Sequence, residues 1–517
     1  MNDERGVAIP ASRGIDTAAV RFIVPRLAFL VCVALALRLL VWRWRYFYGL
    51  GGDEREYLDQ ALALLQQHRY VELRLMRPPL YGFFLAGSIL LVDSLVQNLR
   101  LVQACLSAAT VLPVWLLARE LFPPEAGYRR RVPLVAALLC ALSYTLAANA
   151  AELLSETVFL FGLATLLWLL VGAARRSSWP WALSAGLVLG LLCLTRSVAL
   201  PLLPLGVLWL LVKAKGQRLK AKDSSKSALL LVSLYTLAFG LLVLPWTARN
   251  YATYGGLILI DTTGAENLWL DNNPAAATPA DPLGREAAKR ALYALEEDRL
   301  ARQRLAAQQG AAAIVDNGGW FAQKATGELL KFFALEYTDD MRARPEIWLP
   351  PAEVAARLLL GDGLWLLILL AGTWGLVLAP IPSPAHPRPS CSMLNAQCPM
   401  LASDPRWLLV PWALYVLLTA LIFHVELRYR LPIFPVLLPY AALAILDVRS
   451  GIANWWQRLS RKAPPNLQSP ISNLHIVALL VCLALGAVTL AHTPYPALAW
   501  QLAAKHYHLA RAERALV

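Results

Sequence analysis

Five short stretches of this chain put carboxylates and guanidinium groups beside apolar segments, in combinations that could act on a phosphate-linked substrate. The first is Gly51-Gly52-Asp53-Glu54-Arg55-Glu56-Tyr57, which opens an amphipathic helix with Tyr57, Leu58, Ala61, Leu62 and Leu65 on one face. Asp53 with Glu56 three residues on reads as a capping box. The same position offers a carboxylate held at a membrane surface, able to serve as a general base, and the two roles are compatible. The second is Met76-Arg77-Pro78-Pro79, in which two prolines impose an extended entry into the next apolar run. Arg77 there reads either as a snorkelling side chain or as a phosphate contact. The third is Ala151-Glu152-Leu153-Leu154-Ser155-Glu156-Thr157, where Ser155 could cap a helix and Glu156 would favour its positive end. A carboxylate so near hydrocarbon is also a candidate functional group. The fourth and fifth are Leu194-Thr195-Arg196-Ser197 and His424-Val425-Glu426-Leu427-Arg428-Tyr429-Arg430-Leu431-Pro432. Arg196, Arg428 and Arg430 read as helix-end anchors, or together as an anion clamp.

This set suits a lipid phosphate, whose tail would lie among apolar helices and whose phosphate would meet the arginines. Phosphate is a good leaving group, so cleavage of a sugar–phosphate bond needs little help from a general acid. A glycosidase needs two carboxylates because its leaving group is an alcohol. Here a single base for an acceptor hydroxyl could suffice, with guanidinium groups stabilising the departing phosphate.

The elements that must position these residues are membrane helices. Of 517 residues, 58% are hydrophobic and only 16% charged. The apolar runs are continuous and Leu-rich, without the alternation of barrel strands. Eleven spans are predicted, at about 22–42, 98–118, 132–150, 156–173, 179–195, 198–212, 228–247, 358–380, 407–424, 431–447 and 474–491. The first is too long for a secretory signal core and has no small-residue cleavage site, so it reads as an anchor. Residues 79–92 are apolar but short and start at proline, which predicts an interfacial or re-entrant helix on the outer surface. With that choice Arg129–Arg131, Arg175–Arg176, Lys213–Lys226 and Arg449–Lys462 all fall on one side. The positive-inside rule makes it the cytoplasmic side, with the N-terminus inside, the C-terminus outside and all five stretches on the outer face. The net charge of +14 is thereby a topology signal, and no nucleic-acid partner is expected. Five cysteines lie in apolar runs. Cys391 and Cys398 sit in a loop rich in Pro and Ser (381–405), with spacing that signals neither a metal site nor a disulfide framework.

The expected organisation is a catalytic transmembrane module over 1–247 with its first outer loop at 43–97, an outer domain over 248–357, C-terminal transmembrane helices over 358–491 and an outer tail over 492–517. The outer domain is expected to hold a charged helix near 285–309 and an amphipathic one with Trp320, Phe321, Leu329, Phe332 and Phe333.

In their order along the chain, these motifs resemble the GT-C superfamily of polyprenyl-phosphate-sugar-dependent glycosyltransferases, nearest the protein-O-mannosyltransferase and aminoarabinose-transferase branch. Further resembling parts are Pro245-Trp246-Thr247-Ala248-Arg249-Asn250 and Asn267-Leu268-Trp269 with Asn272-Asn273-Pro274. The resemblance implies an all-α polytopic fold and an inverting transfer of sugar from a polyprenyl phosphate to a hydroxyl of a protein, lipid or glycan in the cell envelope. It implies that Asp53 is the essential acid and that Glu156 is the second, with Glu152 as its rival. The residues implied in substrate binding are Glu54, Tyr57, Arg77, Glu152, Arg196, Asn267, Arg428, Tyr429 and Arg430. Relatives often carry Lys at the position of Arg77 and Asp at that of Glu156. Some GT-C members use a divalent metal, and that point stays open here. A multi-pass lipid or solute transporter is the competing reading. It would require charges at the bilayer midplane and internal repeats, whereas these charges lie at the outer ends of the spans and no repeat is visible.

Overall fold

The structure is a computed structural model that describes residues 17–72, 76–123, 130–217, 224–274, 298–343, 349–379, 404–460 and 473–492, with scattered positions between 287 and 294. Among these residues the chain is built of helices and contains no strand. We number them α1 (Thr17–Trp44), α2 (Gly52–Gln67), α3 (Leu80–Val92), α4 (Val96–Ala109), α5 (Val111–Leu121), α6 (Val132–Leu142), α7 (Tyr144–Ala150), α8 (Glu156–Arg176), α9 (Trp179–Thr195), α10 (Leu202–Gln217), α11 (Ser224–Tyr254) and α12 (Thr263–Asn272). After these come α13 (Arg299–Asp316), α14 (Gly318–Phe333), α15 (Glu336–Ala343), α16 (Pro351–Ala356), α17 (Leu364–Leu378), α18 (Arg406–Ile422), α19 (Phe434–Ser460) and α20 (Asn473–His492).

Each predicted span falls on a helix, but not every one has the length of a crossing. Six stretches are long and apolar enough: Ile23–Trp44, Val96–Leu121, Glu156–Arg176, Ser227–Tyr254, Pro351–Leu378 and Leu427–Val448. A seventh arises if α6 and α7, bent by 52° at Ser143, count as one span. The segments predicted at 179–195, 198–212 and 407–424 form shorter apolar helices, below the roughly 20 residues a perpendicular crossing takes, and within α20 the apolar stretch that counts is His475–Thr489. The protein is thus a multi-pass helical membrane protein. The loop at 381–405 falls almost wholly outside the described residues, as does the tail beyond 492.

Local chemistry explains the packing. The chain bends at Ser143, between α6 and α7. Arg38, buried in α1, donates to two carbonyls at the end of α6, Ala141 O at 2.5 Å and Cys140 O at 3.1 Å, and to Ser107 Oγ at 3.2 Å. A charge inside the apolar bundle is thereby satisfied by groups beside the bend. Small residues bring helix axes close. At Gly186 of α9 an added Cβ would lie 2.2 Å from Tyr235 O of α11, and at Gly375 of α17 it would lie 2.1 Å from Tyr440 O of α19. The main apolar core joins α5, α6, α8, α9, α17, α18 and α19.

Outside the bundle, α2 lays Tyr57, Leu58 and Ala61 against Tyr81 and Leu85 of α3, as the amphipathic pattern predicts. Of the charged helix expected near 285–309, the structure describes α13 from Arg299 on, and most of the stretch from 285 to 298 lies outside the described residues. Its Arg302 pairs with Glu266 of α12 at 3.1 Å, both side chains almost fully buried. The amphipathic stretch forms α14 and buries Phe332 and Phe333.

Candidate active site

Asp53 lies in the first turn of α2, but it is not the N-cap. Gly51 takes that position, and the Glu54 carboxylate accepts from the Gly51 N–H at 2.9 Å. Of the capping box expected of Asp53 and Glu56, only the reciprocal half forms, between the Glu54 carboxylate and the Gly51 N–H, because the helix starts before Asp53 and not at it. Its carboxylate, released from capping, meets two guanidinium groups: Arg77 Nη2 donates to Oδ1 at 2.7 Å, and Arg428 Nη2 to Oδ2 at 3.1 Å. Burial works against the charged form of Asp53. Arg77 and then Arg428 outweigh it and hold its pKa below the ordinary aspartate value.

Arg77 does not snorkel. It is buried, its Nε and Nη2 donate to Glu56 Oε2 at 3.1 and 2.9 Å, and its guanidinium lies 4.9 Å from the centroid of the Tyr57 ring. Glu156, buried at the start of α8, forms a close ion pair with Arg196 and lies 3.6 Å from Arg428 Nε. Ser155 occupies the N-cap of α8 without capping it. Its hydroxyl instead lies 3.4 Å from Arg196 Nη1, which donates to it. Arg428 also pairs with Glu426 at 2.6 Å. Asp53, Glu156 and Glu426 thus share one arginine, itself held over the Tyr429 ring.

These groups line one cavity of about 490 Å³, whose wall also includes Asn267, Asp261 and His424. Phe159, Leu160, Leu200, Tyr415, Val416 and Leu431 form its apolar part. A second pocket of about 430 Å³ shares Asp53, Glu426 and Arg428 with it. The rest of its wall mixes Gly49, Gly51, Gly52, Arg45, Glu54, Arg100 and Glu152 with Tyr48, Ala151 and Leu154.

Of the residues singled out from sequence, Asp53, Tyr57, Arg77, Glu156, Arg196, Asn267, Arg428 and Tyr429 line the larger cavity. Glu152 does not line it; in an ion pair with Arg45, it is in the wall of the second pocket and of a third one beside Asp340 and Arg357. Glu54 is in the wall of the second pocket too, but its carboxylate is engaged by Arg100 at 2.9 Å and by the Leu153 N–H at 2.7 Å. Arg430 lines neither. It is buried, donates to Ala334 O at 2.7 Å and stacks 4.3 Å from the Trp365 ring, so its geometry is that of an internal strut.

The motif Trp246-Thr247-Ala248-Arg249-Asn250 proves to be a clamp on the loop that follows α11. Trp246 Nε1 donates to Ile260 O at 2.9 Å, Thr247 Oγ1 to Leu259 O at 2.7 Å and Asn250 Nδ2 to Ile258 O at 3.1 Å. Asn272 serves a similar end, donating to Ile422 O at 2.9 Å and so tying α12 to the end of α18.

Two groups in the cavity wall escaped the sequence reading. Asp261 ends the apolar run Leu257–Ile260, a position at which an acid stands out. His424 faces Asp271, with Nδ1 2.8 Å from Oδ2, and its Nε2 lies 3.3 Å from the Tyr429 hydroxyl and 3.6 Å from Glu426. Burial lowers the His424 pKa, but Asp271 and Glu426 outweigh it and raise it to about 9. A histidine whose folded pKa is raised from 6.5 adds stability below pH 6.5 that is lost as pH rises through 9. The melting temperature in detergent is therefore expected to fall across that window in the wild type and to be flatter in His424→Gln. A parallel fall in both would show that the ring is not the titrating group.

Among the described residues no group of three or more His, Cys, Asp or Glu could hold a metal ion. Asp53 and Glu156 turn their oxygens to Arg77, Arg196 and Arg428, whose charges would repel a cation. The described residues of this site do not fit a divalent metal.

Residues 76–246 match the family model of dolichyl-phosphate-mannose-protein mannosyltransferases. No curated protein matches the sequence at a significant level. Among solved structures, the archaeal oligosaccharyltransferase AglB from Archaeoglobus fulgidus, in complex with an inhibitory peptide and a dolichol-phosphate, superposes with TM-score 0.51 at 14% identity, over 94% of this chain and 56% of that one. The oligosaccharyltransferase of the same organism tethered with an acceptor peptide gives TM-score 0.51 at 16% identity, over 93% and 55%. ArnT from Cupriavidus metallidurans bound to undecaprenyl phosphate gives TM-score 0.45 at 14% identity, over 95% and 74%. This chain spans little more than half the length of the oligosaccharyltransferase.

Proposed function

We propose that this chain, whose fold is that of the GT-C superfamily, is an inverting glycosyltransferase that moves a sugar from a polyprenyl phosphate to an acceptor hydroxyl at the outer face of the membrane. One observation carries the reading. Asp53, Arg77, Glu156, Arg196 and Arg428, from separate parts of the chain, converge on a cavity whose wall also carries Phe159, Leu160, Val416 and Leu431. The dolichol-phosphate in the archaeal oligosaccharyltransferase and the family matched by residues 76–246 are consistent with a lipid-phosphate donor.

In this mechanism the polyprenyl tail lies against Phe159, Leu160, Val416 and Leu431, and the phosphate meets the arginines. The acceptor enters through the second pocket, beside Gly51 and Gly52. Asp53 takes the proton of the acceptor hydroxyl. Its oxygen attacks the anomeric carbon from the face opposite the phosphate, the bond from carbon to phosphate oxygen breaks, and the electron pair leaves with the phosphate. Guanidinium groups already in place stabilise that charge without reorganisation. Glu156 acts through Arg196 and Arg428, holding both toward the phosphate. The functional division follows from these roles: a catalytic module over 1–247, an outer domain over 248–357 that shapes acceptor access, and further membrane helices over 358–491 that supply Arg428. The basic loops support a topology with the N-terminus in the cytoplasm and the cavity outside.

The test is transfer in proteoliposomes supplied with the lipid-linked sugar fraction and the envelope glycans and proteins of the host. Free polyprenyl phosphate should appear in step with sugar on an acceptor, with inverted anomeric configuration. A wild-type protein that releases none from this mixture would overturn the proposal. A cysteine placed at Gly52 should react with an impermeant reagent from outside, and reaction only from inside would overturn the outer-face assignment.

A further inference from the structure

Between α1 and α6 runs a groove of about 540 Å³ that takes no part in the reaction proposed above. The polar residues in its wall are Arg26 and Arg131, both exposed. The rest of the wall is apolar, with Phe29 and Leu30 on α1 and Leu134, Val135 and Leu138 on α6. Among the described residues no acid lines the groove to balance its two cations.

The two arginines share one end of the helix pair. Arg26 is near the start of the apolar stretch Ile23–Trp44, and Arg131 directly precedes α6. Further along, Arg38 of α1 reaches Cys140 and Ala141 of α6, so the helices run in the same direction. The apolar lining then follows each arginine at i+3 and i+4, on the same helix face. The other end of α1 leads into Arg45, which is in the wall of the second pocket with Asp53. At 1.5 Å per residue Arg26 lies roughly 28 Å from Arg45, about the thickness of the hydrocarbon layer. The charged end of the groove is therefore at the membrane surface away from Asp53.

We infer that this groove seats an anionic phospholipid of that leaflet, its phosphate between Arg26 and Arg131 and an acyl chain along Phe29, Leu134 and Leu138. Any apolar face of a spanning helix meets lipid tails, so the lining alone selects nothing. Selection comes from two guanidinium groups at one level on neighbouring helices, which can grip one phosphate from both sides. A soluble anion would gain nothing from the apolar wall. A zwitterionic lipid would bring its own cation to a site that already holds two.

The experiment titrates the purified full-length protein in detergent with phosphatidylglycerol and with phosphatidylcholine of the same acyl chains, and follows bound lipid by native mass spectrometry. Wild type should retain phosphatidylglycerol in preference to phosphatidylcholine. A basic side chain beside an anionic headgroup is worth on the order of fivefold in binding, so Arg26→Gln and Arg131→Gln should each cost about fivefold and the pair about 25-fold. Phosphatidylcholine should change little. Arg130→Gln, at the same end but outside the groove wall, should stay within about twofold. Leu138→Trp, at an exposed position, should fill the apolar part and weaken phosphatidylglycerol with both arginines intact. Equal retention of the two lipids by wild type, or equal losses from Arg130→Gln and Arg131→Gln, would overturn the proposal. Displacement by soluble glycerol phosphate would reduce the groove to a phosphate site, and tighter retention of sugar-free polyprenyl phosphate would make it a carrier-lipid site. Either result would overturn the assignment to a phospholipid.

Discussion

Replacing Asp53 with asparagine is expected to lower kcat for sugar transfer by about 10²- to 10⁴-fold, the range that loss of a general base produces. Asparagine keeps the size of the side chain and one acceptor oxygen for Arg77 or Arg428, so the helix start and the cavity should survive. What it lacks is basicity. The structure adds a condition on how that base works. Two guanidinium groups hold the Asp53 pKa below its ordinary value, which makes it a weak base in the free protein. A donor phosphate would compete for the same arginines. Once they turn to the phosphate, the hold on Asp53 loosens and its pKa rises toward the ordinary range, so donor binding arms the base. The sign of the pH dependence follows. A carboxylate base fails as pH falls through its pKa, so the acid limb should lie at higher pH in kcat, which reports the bound complex, than in kcat/KM, which reports the free protein. Coincident limbs would remove the arming step, and an Asp53→Asn variant with near-wild-type kcat would remove Asp53 as the base.

Arg428→Ala carries the second large effect. Arg428 is within ion-pair distance of Asp53, Glu156 and Glu426. Its removal takes away one cation for the departing phosphate and leaves three carboxylates near one another with less to balance them. Loss of a single positioned donor to developing negative charge lowers kcat by about 10²- to 10³-fold. Because the same cation would bind the phosphate of the donor, KM for the lipid-linked sugar should rise as well. Arg428→Lys should recover only part of both, since an ammonium cannot reproduce the planar fork that spans two carboxylates. Steady-state kinetics on the three proteins would decide the matter, and an alanine variant within about threefold of wild type would exclude Arg428 from the chemistry.

Much of this molecule is legible in its residues. The apolar segments are long and the acids and arginines sit at their ends, so the helices and the candidate groups both follow from local composition. The helix starts were less so. Asp53 reads as a cap because Glu56 lies three residues on, yet Gly51 and Glu54 take that role and free Asp53 for the cavity. Arg430 has the same sequence credentials as Arg428, two residues away, but points into the core beneath Trp365. Asp261 and His424 lie inside or beside motifs that stand out, but neither looks exceptional until its neighbours are known.

Taken alone, the sequence determined the class of the fold, the approximate place of its helices and the small set of groups able to do chemistry, because hydropathy and side-chain type act over a few residues. Only the tertiary structure decided which carboxylate faces which arginine and which guanidinium is a strut. Those pairings join positions as far apart as Asp53 and Arg428, and their strength depends on ångström distances and burial that no local pattern encodes.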